Sequence, residues 1–511
     1  MPVVRNKIWA YSFLSFLILV VLIAYSYHRG LQRIRGGLTL QVDYSSLEIP
    51  TGDLLIRNAH IWNSDSLLFK KGQVLVRNGL IQTLDSVDLP YRDVRTIDAR
   101  GQFMIPGLTD YHVHLFQSPN DLLLYLANGI TQVREMSGTQ LHLEWKKEIE
   151  NGRPGPDLFV LSPRLSSFST WQGWKAEYTQ GYNNIPDKET ARKSLIKYKE
   201  QGYDGVKIHS RLNRESYQAI STLSDSLNLM MAGHLPKSIT FLELWESNQS
   251  DIAHTEELLL VFKREYEENG KEIDTGFVHY AQKRARDIAP KLLKNNISVN
   301  SNLWLIQSFV HQKFDLENQL SRIQLQYANP GITESKKLLG HGPGWLPGIN
   351  RYRLPEHLDK SQLEKEKAYW MTYAKACESI LSSLVNSGVT IVPSTDANLP
   401  LAVPGFGLYD ELQSLHKAGI PIEKLLHWST ALPARKTGSK TGRIEPGYKA
   451  HLVLLNGNPL NDLEYLKNIS MVIKGTQIYD RETLDSMLDL VLKANEESRS
   501  VAIENYLPSK D

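Results

Sequence analysis

The amino-acid sequence predicts an α/β protein: a closed (β/α)8 barrel of the TIM type, accompanied by a small composite β-sandwich module and preceded by a transmembrane helix. Three observations predict it. Between residues 106 and 435, eight short apolar runs with strand character alternate with helical patterns, the signature of βα units around a parallel sheet. On both sides of that region lie short alternating runs, too few on either side to bury a core alone. Residues 8–27 form an almost unbroken apolar segment of 20 residues, the length that crosses a bilayer as a helix.

Taken in order, residues 1–35 are the anchor or signal segment. Arg5 and Lys7 precede the apolar run and Arg29, Arg33 and Arg35 follow it, so the charged flanks nearly balance. The expected arrangement is one retained helix holding the catalytic body outside the cytoplasm, in a periplasm. The alternative is a secreted protein cleaved at the small-x-small site Ala24-Tyr25-Ser26. Residues 51–105 carry the runs Leu54-Leu55-Ile56-Arg57 and Gln73-Val74-Leu75-Val76, with Asn78-Gly79 as a hairpin turn, and read as antiparallel. Residues 436–480 return to the same pattern in His451-Leu452-Val453-Leu454-Leu455 and Ser470-Met471-Val472-Ile473-Lys474-Gly475, so the two halves are expected to join. Residues 481–511 form a helical tail to which no chemistry is assigned.

The eight barrel strands are read at 111–115, 130–136, 158–162, 205–209, 230–234, 251–254, 297–300 and 389–395. About 90 residues separate the last two, far more than a βα connection needs. Within that gap an insertion at about 305–380 is expected over the barrel mouth. It contains polar helical stretches at 314–326 and 362–386 and the loop Gly340-His341-Gly342-Pro343-Gly344-Trp345-Leu346-Pro347-Gly348. The charge balance, 58 Lys plus Arg against 56 Asp plus Glu, gives no field for nucleic acid and directs attention to a small substrate. The single cysteine, Cys377, excludes an intramolecular disulfide and a Cys-based zinc site, so any metal is left to His, Asp and Lys.

In such a barrel, catalytic residues come from the carboxyl ends of several strands. The census there is coherent: His112 and His114 on the first, Lys207 on the fourth, His234 on the fifth, His254 on the sixth and Asp396 on the eighth. His112 and His114 share a face because side chains alternate along a strand. His209 shares the face of Lys207 for the same reason and is its rival. Taken singly, His234 or His254 could be a core histidine and Asp396 a helix cap. Six such residues in barrel order are far less easily accidental.

These residues carry a family resemblance. Over roughly residues 52–480 the chain resembles the amidohydrolase superfamily, in the branch of imidazolonepropionase-like proteins and metal-dependent prolidases. The motifs are Ile105-Pro106-Gly107-Leu108-Thr109-Asp110-Tyr111-His112-Val113-His114, Gly129-Ile130-Thr131-Gln132-Val133-Arg134-Glu135-Met136, Ser394-Thr395-Asp396-Ala397, and Thr441-Gly442-Arg443-Ile444-Glu445-Pro446-Gly447. The resemblance implies that His112, His114 and Asp396 hold the more buried of two divalent ions, with zinc the expected metal, and that His234 and His254 hold the second. It further implies N6-carboxylated Lys207 as the bridge and Asp396 as the catalytic proton carrier. The implied activity is hydrolysis of an amide or peptide-like C–N bond in a small molecule or dipeptide, with a cyclic amide or mononuclear deamination as alternatives. Lys237, three residues after His234, stands where such deaminases carry Glu, which disfavours deamination. Arg211 is a candidate for binding a substrate carboxylate. His451 and Tyr409 depart from the family pattern and are left out of the site. A membrane-anchored, non-catalytic metal-binding scaffold is the reading from another class.

Overall fold

The computed structural model describes residues 2–85, 94–336, 342 and 344–507, with side chains from residue 11 onward. Outside the described residues lie the Arg5 and Lys7 side chains, Gly340, His341 and Pro343 of the glycine-proline loop, residues 86–93 of the first β-module half and residues 508–511 of the tail.

The first half of the module comprises β1 (Leu54–Asn63), β2 (Leu68–Arg77), β3 (Leu80–Asp85), β4 (Arg95–Asp98) and β5 (Phe103–Pro106). Asn78 and Gly79 both take positive φ, 50° and 74°, as the tight β2–β3 hairpin requires. The barrel follows with β6 (Leu108–Val113), β7 (Ile130–Glu135), β8 (Asp157–Ser166), β9 (Tyr182–Asn184), β10 (Gly205–Ile208), β11 (Met230–Gly233), β12 (Gln249–Ile252), β13 (Ser298–Asn300) and β14 (Ile391–Val392). The chain then returns to the module as β15 (His451–Leu455), β16 (Ile469–Lys474) and β17 (Gln477–Asp480).

The two halves meet where β5 pairs antiparallel with β15, Val453 opposite Ile105. Their side chains form one core, Ile56, Val74 and Ile81 from one half with Leu452, Leu454 and Ile473 from the other. Neither half could bury that surface alone. The sheet is mixed where the sequence suggested antiparallel pairing throughout. β1 is interrupted between Ile56 and Ala59, and its two ends pair in parallel with β4 and then β5. After the β2–β3 hairpin the chain comes back along β1 in the direction of β1 itself, a path that alternation of side chains cannot reveal.

The barrel is an eight-stranded parallel sheet in the order β6-β7-β8-β10-β11-β12-β13-β14, with β9 paired to β8. It closes through the segment after β14: Asp396 N–H donates to His112 O (2.8 Å), and Val113 bridges Ala397 in parallel. All eight strand runs are where the sequence places them, within a few residues. Between β13 and β14 the division differs. Helix Lys360–Asn386 packs along helices Thr275–Lys294 and Thr255–Glu268 and belongs to the barrel wall. Its buried face, Tyr373, Ala376, Cys377, Ile380, Leu381 and Leu384, follows helical spacing and fits that wall. Helix Leu303–Phe314 likewise packs on Lys360–Asn386 and on helix Gly407–Lys417 and buries Leu303, Leu305, Ile306 and Phe309 in the barrel core, so the segment outside the wall lies between residues 315 and 359.

The N-terminal helix, Pro2–Ile34, contains a stretch long and apolar enough to cross a membrane, Tyr11–Ile34. Its residues from Tyr11 to Tyr25 are exposed, whereas Leu31 and Ile34 are buried against the body.

Inside the barrel, Arg134 on β7 makes a two-pronged ion pair with Asp251 on β12 (2.7 and 3.0 Å), donates to Tyr111 O (2.8 Å) and lies over the Tyr111 ring (3.5 Å). Both charged side chains are fully buried. Removing one partner leaves the other charge without compensation in a dry interior. Arg134→Met is therefore expected to lower unfolding stability by about 3–5 kcal/mol, measured by denaturant titration, while an exposed pair such as Lys193–Glu189 contributes at most about 1 kcal/mol.

Candidate metal centre

The local fold explains how the first-strand histidines come to face the eighth-strand aspartate. The Asp110 carboxylate accepts from Thr395 Oγ1 (2.6 Å), Thr395 N (3.2 Å) and His112 N (3.4 Å), which ties the end of β6 to the chain after β14. Burial pushes the Asp110 carboxyl up to about 7. One residue further, Asp396 takes the left-handed conformation (φ 58°), as do Asn398 and Leu401 nearby. Such conformations cost of order 1–3 kcal/mol each and gather where a site demands them. Here the turn brings the Asp396 carboxylate to His114 Nε2 (3.0 Å), His112 Nε2 (3.4 Å) and His254 Nε2 (3.9 Å).

The ligand-capable atoms of His112, His114 and Asp396 all lie within 4.8 Å of one another. The His254 ring is 4.6 Å from that of His112 and 5.1 Å from that of His234, centroid to centroid. Lys207, on β10, is buried, and among the described residues its Nζ has no hydrogen-bond partner; neither ring nitrogen of His112 has one there. Leaving a buried polar atom unsatisfied costs about 1–3 kcal/mol. Their concentration at one place fits a site shaped for a ligand, and imidazole nitrogen with carboxylate oxygen is a donor set that suits a divalent ion of the zinc type.

Electrostatics agree with that fit. Burial, reinforced by Lys207 and His254, holds His112 far below the ordinary imidazole value, keeping it neutral as a ligand must be. Burial also pushes the Lys207 ammonium down to about 7. For Asp396 burial favours the neutral acid, but the His114 hydrogen bond and the charges of His254, His114 and Lys207 outweigh it and hold the carboxyl below its usual range.

A cavity of about 450 Å³ opens over these groups, with His114, Lys207, His209, His234, His254 and Asp396 in its wall. His112 lies beneath. The predicted set is thus brought together, and His209 joins it, stacked on His234 at 4.6 Å. Arg211 does not line the cavity. It is exposed on the turn after β10, its guanidinium 5.7 Å from the Phe168 ring. The cations at the mouth are instead Arg35, Arg164 and Arg351. They are remote in sequence and no local motif marked them. Tyr409 donates to Asn128 O (2.6 Å), and His451 on β15 of the module sits beside Asp157 at the start of β8; neither residue lines the cavity.

Sequence reasoning also missed two carboxylates behind the histidines. Glu257 Oε1 is 3.0 Å from His234 Nδ1, which Ser210 Oγ meets more closely at 2.7 Å, and the other Glu257 oxygen accepts from Leu235 N (3.0 Å). Glu135 accepts from Leu115 N and Ser137 N (2.6 Å each) and lies 3.8 Å from His114 Nδ1. Carboxylates in that position fix the ring and tautomer of a ligating histidine. The available signal was Glu at the end of β7 and Glu three residues after His254. Glu257→Gln is expected to weaken metal binding about 10–100-fold, read by competition with a chromogenic chelator, without loss of the folded state.

Comparison with known proteins agrees with the fold. Residues 354–478 match the model of the amidohydrolase family. A bottromycin amidohydrolase structure aligns over 86% of this chain and 90% of its own, with TM-score 0.65 and 18% identity. A Xaa-Pro dipeptidase with bound methionine in its active site (TM-score 0.58, 17% identity, 84% of this chain and 100% of that one) and the A. niger ochratoxinase (0.59, 16%, 84% and 96%) align similarly. At these identities the likeness is one of fold. Among curated proteins, adenine deaminase of Desulfatibacillum aliphaticivorans is 42% identical over 66 residues, 13% of this chain and 11% of that protein. Dihydropyrimidinase of Dictyostelium discoideum is 36% identical over 168 residues, 31% and 30% respectively. The matches to both thus span less than a third of those relatives' length. The chain thus matches the amidohydrolase family model over residues 354–478 and shares its (β/α)8 barrel fold with these structures.

Proposed function

We propose that this protein is a metal-dependent hydrolase of C–N bonds, acting on an amide or peptide-like bond in a small carboxylate-bearing substrate such as a dipeptide. The observation that carries the reading is the convergence of His112, His114, Lys207, His234, His254 and Asp396 from five strand ends on one buried space, with unpartnered polar atoms among them. His112, His114 and Asp396 would hold one divalent ion, with zinc a good fit, and His234 and His254 a second. Lys207, as a carbamate formed when its neutral amine adds to carbon dioxide and loses a proton, would offer an oxygen to each. A divalent ion bound there makes hydroxide available near neutral pH and polarises a carbonyl.

The chain's own groups supply the rest. Asp396 stands at the junction of the histidines, where its carboxylate can take a proton from attacking water and return it to the leaving nitrogen. Arg35 and Arg164 bring positive charge to the cavity wall, suited to a substrate carboxylate. Glu257 and Glu135 stand behind His234 and His114, where a carboxylate fixes the orientation of a ligating ring.

The test is metal analysis of the purified full chain with a dipeptide panel. About two zinc per chain together with cleavage of a peptide bond supports the reading, and a metal-free chain refutes it. The adenine deaminase similarity supports a second reading, deamination, which the same assay separates by release of ammonia from adenine without cleavage of any peptide. Against it, Lys237 is exposed where a shuttle carboxylate would be needed, and Glu257 faces Nδ1 of His234 with its other oxygen already engaged.

A further inference from the structure

Helix Thr170–Gln180 is amphipathic in the reverse of the usual sense. Its buried residues are the small Gly173, Ala176 and Thr179. Its outer face presents Trp171, Trp174 and Tyr178, which are 72%, 60% and 44% exposed. The three rings form a continuous stack, with centroids 5.4 and 6.2 Å apart. An aromatic face of this size left in water is unfavourable, and Trp and Tyr gather at the boundary between a bilayer and water.

The stack continues onto the N-terminal helix. The Tyr178 ring lies 6.0 Å from that of Tyr27, just beyond the exposed apolar residues that end at Tyr25. Arg29 and Lys175 are exposed on the two helices, cations suited to anionic headgroups, with the exposed Glu177 beside Lys175, while Arg33 donates to Ser500 Oγ (3.0 Å). The same two helices reach the cavity. Ile34 and Arg35 form part of its wall, as do Thr179 and Gln180, and Arg35 donates to Thr179 O (3.2 Å). The chain leaving the N-terminal helix is tied to the barrel, since Gln117 N donates to Arg35 O (2.9 Å). The membrane-length helix, the aromatic helix and the mouth of the cavity are thereby joined at one place.

We propose that the cavity opens at the membrane–water interface and takes a membrane-borne amphiphile, an amino acid N-acylated by a long chain, whose carboxylate meets Arg35 and Arg164 while its acyl chain leaves past Ile34 into the bilayer. The substrate part rests on the hydrolase reading above. Water adds its oxygen to the acyl carbon as the C–N bond breaks, and its protons leave with the amine, giving a fatty carboxylate and a free amino acid.

The experiment uses the full chain, loaded with zinc, in phosphatidylcholine–phosphatidylglycerol nanodiscs. A fluorophore is placed at Trp171→Cys or, as reference at the opposite end of the barrel, at Lys294→Cys; Cys377 is buried and stays unlabelled. Stronger quenching at position 171 than at 294 by headgroup-spin-labelled lipid supports the interfacial mouth, and equal quenching overturns it. Acetyl, octanoyl and dodecanoyl amino acids are then compared, with kcat/KM expected to rise at least about tenfold from the shortest to the longest. Trp171→Ser with Trp174→Ser, both outside the cavity wall, is expected to remove most of that rise and leave the acetyl substrate unaffected. Hydrolysis that is independent of chain length, or a rise that the double substitution leaves intact, overturns the substrate class while the hydrolase reading stands. Quenching at 171 with no cleavage of any acyl amino acid or dipeptide overturns the hydrolase reading and its substrate, and leaves the interfacial mouth supported.

Discussion

Lys207→Met is expected to abolish hydrolysis, by at least about 10³-fold in kcat/KM, equivalent to about 4 kcal/mol of transition-state stabilisation, and to lower the zinc content from about two per chain to one or none. Methionine nearly preserves the volume of the buried side chain, so the barrel should stay folded. What it lacks is the amine. Lys207 is among the largest fully buried side chains, and among the described residues no acceptor satisfies its Nζ. A cation in that place would repel bound divalent ions, whereas the carbamate proposed above would attract them. Metal content and turnover must therefore fall together. Two zinc ions retained with activity lost would mean that Lys207 acts on substrate rather than as a bridge. Full activity after the substitution would remove it from the site altogether.

Asp396→Asn separates folding from proton handling. Asparagine tolerates the left-handed backbone as well as aspartate does, so the strained turn at φ 58° is expected to persist and thermal stability to hold. The amide keeps one oxygen toward His112 and His114 but cannot accept a proton in the relevant range. Turnover is expected to fall by about 10²–10⁴-fold, the usual worth of general acid–base catalysis, with a smaller loss of metal. Steady-state kinetics beside metal analysis of the same preparation checks this. An equal, complete loss of metal would assign Asp396 to ligation alone.

Much of this molecule is legible in its sequence. The eight barrel strands follow from apolar runs of strand length because every strand of a parallel barrel is buried on both faces. His112, His114, Lys207, His234, His254 and Asp396 stand out because polar side chains at the ends of such runs need a reason to be there. The apolar helix is a matter of length and composition, which no folding is required to read.

The rest depends on where distant segments come to lie. Arg211 was a plausible carboxylate binder by proximity to Lys207, yet one turn beyond a strand end the chain already faces outward, and Arg35, Arg164 and Arg351 take the mouth. Glu135 and Glu257 look like ordinary strand-end and helix residues until the strands curve together and place them behind His114 and His234. The helix Lys360–Asn386 reads as part of an insertion by spacing but packs as barrel wall, since only its partners show which surface its apolar stripe covers. Local pattern therefore determined the strands, the ligand-type residues and the anchor-like helix, because backbone periodicity and burial are written residue by residue. Tertiary structure alone decided which cations face the cavity, which carboxylates stand behind the histidines and how the N-terminal helix meets the mouth, because those are distances between segments from about twenty to more than a hundred residues apart, which no local periodicity records.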